Sequence, residues 1–242
     1  MMEKFQSGNA KRFINAYNTL DHSLRLQYNF KTNMSFSDVI RRCASLNSVI
    51  HKYEDNLLDY ARLRNAIIHG KTDQIIAEPH IEVVKALEKI AKLISTPPEA
   101  INVVQKKTVL IAEHTLSVRA VIELISKTGY SNLPVYRGQT LIGVANGQRI
   151  VNELGVQLSK KVDIADWCEN TIIEKIVSCE TEVQHFTVVD IKITIEEALN
   201  LLNSNRKLLC LIVTKSGNYN EPPVSIITNS DIIDFHKVLD NY

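Results

Sequence analysis

Short stretches of this chain carry side chains whose types and spacing could do chemistry. One is Arg64-Asn65-Ala66-Ile67-Ile68-His69. Histidine, with a near-neutral pKa, can take or return a proton, and arginine can neutralise charge building on a phosphate. Asn65, beside the arginine, can orient either partner. A second stretch places Thr228 three residues before Asp231, after the apolar run Val224–Thr228 and before Ile232-Ile233. A strand handing over to a helix presents a hydroxyl and unpaired N–H groups that suit an anion, and a carboxylate that can accept from hydroxyls. The same spacing is also a capping box, with Thr228 as N-cap and Asp231 as its reciprocal acid, which needs no ligand. A third stretch puts Asn146 and Arg149 at the equivalent positions of an earlier segment. Arginine only donates, so Arg149 suits a phosphate and not a sugar hydroxyl.

The four cysteines, Cys43, Cys168, Cys179 and Cys210, form no CxxC pair and have no histidine at metal-ligand spacing. They read as reduced thiols of a cytoplasmic protein, and no metal is expected. The 242 residues are 45% hydrophobic and 23% charged, which suits a chain that buries a real core. A formal net charge of +1 gives no global field for nucleic acid or membrane. The polar start, Met1 to Phe13, has no signal-peptide character, and no apolar run approaches the roughly 18 residues of a membrane span.

The elements that must position these residues fall into two halves. Residues 1–95 read as all-α. Helices are expected over Lys11–Leu26, over Ser37–Leu46 with Ser37 as N-cap, over Ser48–His69 stopped by Gly70, and after Pro79 as a first-turn proline. Pro97-Pro98 then punctuates the chain, and the period changes. Short apolar runs alternate with helical stretches: Thr108–Ile111, Leu116–Ser126, Asn132–Tyr136, Thr140–Ala145. The order recurs as Thr187–Val189, Ile195–Asn203, Leu208–Thr214, Val224–Thr228, an internal repeat offset by about 80 residues. Each copy reads strand, helix, strand, turn, strand, helix. Lys161–Val177 between them reads as a helix polar enough to lie on the surface.

The repeat carries a resemblance. Asn132-Leu133-Pro134-Val135-Tyr136 followed by Leu141-Ile142-Gly143-Val144, and later Ile226-Ile227-Thr228-Asn229-Ser230-Asp231-Ile232, resemble the core and closing segments of CBS domains. Two copies in the right order imply a tandem pair packed sheet to sheet with pseudo-twofold symmetry. They also imply an α+β chain: a helical bundle over 1–95, a first CBS domain over 96–155, and a second with its leading linker helix over 156–242. The resemblance further implies a cleft for AMP, ADP or ATP, with Thr228 toward phosphate and Asp231 toward ribose. The backbone at Ser131 and Asn132 would then lie at adenine edges, and Leu209 in an apolar slot for a base. Arg149 stands where an acid belongs, so one competent site is expected. There Arg149 would frame the neighbouring site, either as a solvated surface arginine or by reaching a phosphate.

The Arg64, Asn65 and His69 pattern resembles the signature of HEPN domains, helical bundles many of which are dimeric, metal-independent ribonucleases. On one continuous helix, Arg64 and His69 would stand about 140° apart, so their convergence needs a helix that ends early or a second subunit. Together these resemblances imply an adenine-nucleotide-sensing regulator: the CBS pair would control an N-terminal dimerisation or effector domain in a cytoplasmic homodimer with no required cofactor. A ligand-regulated ribonuclease acting on RNA is the alternative. A metabolic enzyme has no Gly-rich phosphate loop, triad or paired acids to support it.

Overall fold

The computed structural model describes residues 8–69, 74–104, 109–177 and 185–242. The chain divides into two compact units, Met1–Pro98 with Leu239–Tyr242, and Glu99–Val238. No helix among the described residues is long and apolar enough to cross a membrane.

The first unit contains α1 (Asn9–Gln27), α2 (Phe36–Ala44), α3 (Ser48–Lys52), α4 (Glu54–Ile67) and α5 (Ile81–Ser95). Its helices bring apolar positions three and four apart to one core. Phe13, Leu20 and Leu24 of α1 are wholly buried with Ile40 of α2, Leu57 of α4 and Leu87 of α5. Each such side chain contributes roughly 1.5–3 kcal/mol relative to exposure. The C-terminal residues join this unit: the Tyr242 hydroxyl donates to the Thr96 carbonyl at 2.7 Å, and Lys92 Nζ lies 4.1 Å from the Tyr242 ring centre.

Local details differ from the sequence expectations. The N-cap of α2 is Ser35, whose hydroxyl accepts from the Asp38 N–H at 3.2 Å. Helix α2 thus begins at Phe36, whose ring packs into the core. The expected single helix over Ser48–His69 breaks at Tyr53, and Asn47 caps its first part by accepting from the Ile50 N–H at 2.9 Å. Helix α4 ends at Ile67. Ile68–His69 (β1) then pairs antiparallel with Gln74–Ile75 (β2), so this half is not purely helical. The β-branched pairs Ile67-Ile68 and Ile75-Ile76 favour extended backbone. Gly70, the expected stop, lies outside the described residues. His80 caps α5 through Nδ1, which accepts from the Glu82 N–H at 3.4 Å, so Pro79 precedes the cap.

The second unit uses one arrangement twice. The first copy comprises β3 (Ala112–Glu113), α6 (Val118–Thr128), β4 (Asn132–Arg137), β5 (Thr140–Asn146) and α7 (Gly147–Ser159). After α8 (Ile164–Asn170) and α9 (Glu174–Val177) come β6 (Phe186–Asp190), α10 (Ile195–Ser204), β7 (Cys210–Thr214), β8 (Ser225–Thr228) and α11 (Ile232–Asn241). The sheets are ordered β3-β4-β5 and β6-β7-β8, and in both the first pair is parallel and the second antiparallel. Gly138, at φ +60°, makes the tight turn between the paired residues Arg137 and Thr140. Tyr136, Leu141 and Val144 of one sheet pack against Cys210 and Ile212 of the other. The Tyr136 hydroxyl donates to the Glu221 carbonyl at 3.0 Å, tying the second copy's loop to the first copy's hairpin.

The segment joining the copies is not a surface helix. Ile173 and Val177 are buried in the core of the first copy, with Cys168 of α8. Apolar residues at positions 173, 176 and 177 form one helical face, which covers β5. Glu174 of α9 is held by His114 Nδ1 at 2.6 Å and by the Arg137 guanidinium. The hydrogen bond from His114, then that from Arg137, holds the Glu174 carboxyl below its ordinary pKa. A lowered carboxylate pKa adds stability above the ordinary carboxylate range that is lost as pH falls through the folded-state value. Thermal melts from neutral to acid pH should therefore show Glu174→Gln less stable than the parent near neutrality, with the two converging in acid.

Candidate functional site

The site is built where the start of β4 meets the end of β8. Thr228 closes β8, a 3-10 turn follows over Asn229–Asp231, and α11 begins at Ile232. Asp231 Oδ2 accepts from the Thr228 N–H at 2.7 Å and from its hydroxyl at 3.0 Å, so the capping box forms. Thr228 Oγ1 and Ser230 Oγ lie 2.7 Å apart. Asp231 Oδ1 has no hydrogen bond among the described residues and can accept from a ligand. Capping and binding are thus compatible uses of one carboxylate.

Across from this cap, Asn146 N-caps α7 by accepting from the Arg149 N–H at 3.2 Å. Its Nδ2 donates to Asn132 Oδ1 at 2.8 Å and to the Ser131 carbonyl at 3.4 Å. The buried Asn146 side chain therefore fixes the backbone that opens β4. Asn146→Ala should cost about 1 kcal/mol through the lost cap alone, read as a lower thermal midpoint. The freed Ser131–Asn132 rim should also weaken any ligand held there.

Between these two ends lies a cleft of about 690 Å³. Ser131 and Asn132 of the first copy line it together with Leu209, Thr228 and Asp231 of the second. Sequence reasoning missed Val109, Leu110 and Ile226, which extend its apolar wall, and also Tyr130 and Asp234. Adjacency was the available signal: Tyr130 precedes Ser131, and Asp234 lies one helical turn after Asp231.

Arg149 is not among the residues lining the cleft. Its guanidinium donates to the Ile176 carbonyl at 3.4 Å. It stands in the first turn of α7, beside the C-terminal carbonyls of α9, and the packing of α9 on β5 supplies that acceptor.

In the first unit, Arg64 is half-buried in the last turn of α4 and Asn65 is exposed. His69 lies in β1, and its side chain is outside the described part of the structure. Because α4 stops at Ile67, the wide angular separation imposed by a continuous helix does not apply to Arg64 and His69. Arg64 is close enough to Tyr17 to oppose the change in its hydroxyl, whose pKa burial nevertheless pushes up to about 12. Burial raises the Cys43 thiol to about 11 and the Cys210 thiol to about 12. Cys168 is buried too, and Cys179 lies outside the described residues.

The chain matches no family model and no curated protein. Among solved structures it is similar to CBSX2 in complex with AMP, at 18% identity and a TM-score of 0.44, over 59% of this chain and 98% of that one. It is similar to protein MJ1225 of Methanocaldococcus jannaschii, a proposed archaeal homologue of g-AMPK, at 15% identity and a TM-score of 0.48, over 69% of this chain and 56% of that one. A CBS domain-containing protein of Kribbella flavida is similar over 57% of this chain and 97% of that one, at 14% identity and a TM-score of 0.44.

Proposed function

We propose that the second unit is a tandem pair of CBS domains that binds an adenine nucleotide and regulates the N-terminal helical unit. In this reading the helical unit is the dimerisation or effector part of a cytoplasmic homodimer. The observation that carries the reading is that Ser131, Asn132, Leu209, Thr228 and Asp231, distant in sequence, line one cleft. Leu209, Ile226 and Val109 provide an apolar slot for a base. Asp231 Oδ1 is an acceptor for ribose hydroxyls, and the N–H groups opening α11 suit the first phosphate. The first copy has Arg149 where the second has Asp231, so one site per chain follows.

Regulation requires the ligand to favour one arrangement of the protein over another. Helix α11 opens on the Thr228–Asp231 cap, and its chain continues into Leu239–Tyr242, which belong to the first unit. A ligand that tightens this cap acts on an element that both units share. The test is thermal stability with AMP, ADP and ATP. At a hundredfold excess over Kd a single-site ligand stabilises by about 2.7 kcal/mol, a clear rise in midpoint. No rise with any of the three removes the reading.

A second reading assigns metal-independent RNA cleavage to Arg64, Asn65 and His69. It is favoured by the end of α4 at Ile67, which releases His69 from the helix. Histidine would move the 2′-hydroxyl proton while arginine neutralises the phosphate. RNAs left intact by the wild-type protein, or cut equally by His69→Ala, remove it.

A further inference from the structure

Resting on the adenine reading above, we infer that α11 is the regulatory link of the cleft. A ligand at its N-terminal end tightens the docking of Leu239–Tyr242 within the helical unit, and that docking tightens the ligand in return. Helix α11 has 10 residues, Ile232–Asn241. An isolated helix shorter than about 12–15 residues is marginal in water, so the order of α11 depends on partners at its ends. At the first end stand Thr228 and Asp231, whose reciprocal capping bonds lie in the lining of the cleft. At the other end Leu239–Tyr242 belong to the first unit. The last carbonyls of a helix have no partner within it, and Lys89 of α5 donates to one of them, that of Asp240. Lys52 Nζ lies 3.4 Å from the Asp240 carboxylate, so two lysines also complement the negative end of the helix. Leu239 and Tyr242 pack against the core of the first unit. The Tyr242 hydroxyl bonds the Thr96 carbonyl at the end of α5, and Lys92 lies over its ring. Between the two ends Phe235 is wholly buried, and Ile232, Phe235 and Leu239 share one face at helical spacing. No glycine or proline interrupts the helix, so order gained at one end propagates to the other.

The experiment is calorimetric titration of AMP into the wild type, Tyr242→Ala, Tyr242→Phe and Lys89→Ala, well below their melting midpoints. Neither Tyr242 nor Lys89 is among the described residues lining the cleft. Coupling between two sites is reciprocal, and about fivefold in affinity is the low end of its usual range. Tyr242→Ala should therefore weaken AMP by about fivefold or more, and Lys89→Ala should act in the same direction. Tyr242→Phe keeps the ring and loses the bond to Thr96, so it should fall between wild type and alanine. Hydrogen exchange on the wild type gives a second readout that needs no substitution. Saturating AMP should slow the Thr96 amide, which donates to the Lys92 carbonyl, and the amides in the last turn of α11. Equal AMP affinity in the wild type, Tyr242→Ala and Lys89→Ala, or exchange at those amides unchanged by AMP, overturns the inference and leaves the adenine reading standing. If AMP does not bind the wild type, the adenine reading falls and the inference with it.

Discussion

Asp231→Ala is expected to weaken AMP binding by about 10- to 100-fold, measured by titration calorimetry. Asp231 Oδ2 is committed to Thr228, but Oδ1 is open to ribose hydroxyls. Hydrogen bonds to a charged group contribute about 1.5–3 kcal/mol, and every 1.4 kcal/mol is tenfold in affinity. The same substitution removes the capping acid, so a loss of about 1 kcal/mol of stability should accompany it. Asp231→Asn separates the effects: it keeps an acceptor of the same shape and removes the charge, and should fall between wild type and alanine. Unchanged affinity in Asp231→Ala would show that the carboxylate serves the cap alone.

The second large effect is on stability. Gly143 lies in β5 directly beneath α9, and a Cβ built there would stand 2.7 Å from the Cβ of Val177. Val177 is itself buried, so relief requires moving α9 away from the sheet. Gly143→Val should cost at least about 1–3 kcal/mol by overpacking. For a unit of this size that lowers the melting midpoint by several degrees, at about 2–4 °C per kcal/mol. Gly155 is the internal control, since nothing lies within 4 Å of a Cβ added there, inside α7. Gly155→Ala should leave stability unchanged or raise it by up to about 1 kcal/mol. Equal melts for Gly143→Val and the wild type would contradict the packing of α9 on β5.

The repeat was legible because its apolar runs are short, bounded by turn residues, and occur twice in one order. Thr228 and Asp231 were legible for the same reason, since their spacing marks the point where a strand becomes a helix. The missed features depend on tertiary packing. Ser35 replaces Ser37 as the cap of α2 because the core claims Phe36, and no local spacing announces that. The segment before Val177 looks polar, yet Ile173 and Val177 suffice to cover β5 once the chain folds back. Arg149 donates to the Ile176 carbonyl, an acceptor that only the packing of α9 on β5 brings within reach. Tyr130 and Asp234 are legible only after the cleft is drawn, because membership depends on how the two sheets meet.

The proposed function needs one adenine-nucleotide cleft per chain, the one lined by Ser131 and Asn132 of one copy with Leu209, Thr228 and Asp231 of the other. Its most direct test is the binding stoichiometry of AMP on the intact wild-type chain, titrated to saturation. One AMP per chain is expected. Two equivalent sites per chain, or no saturable binding, would contradict it.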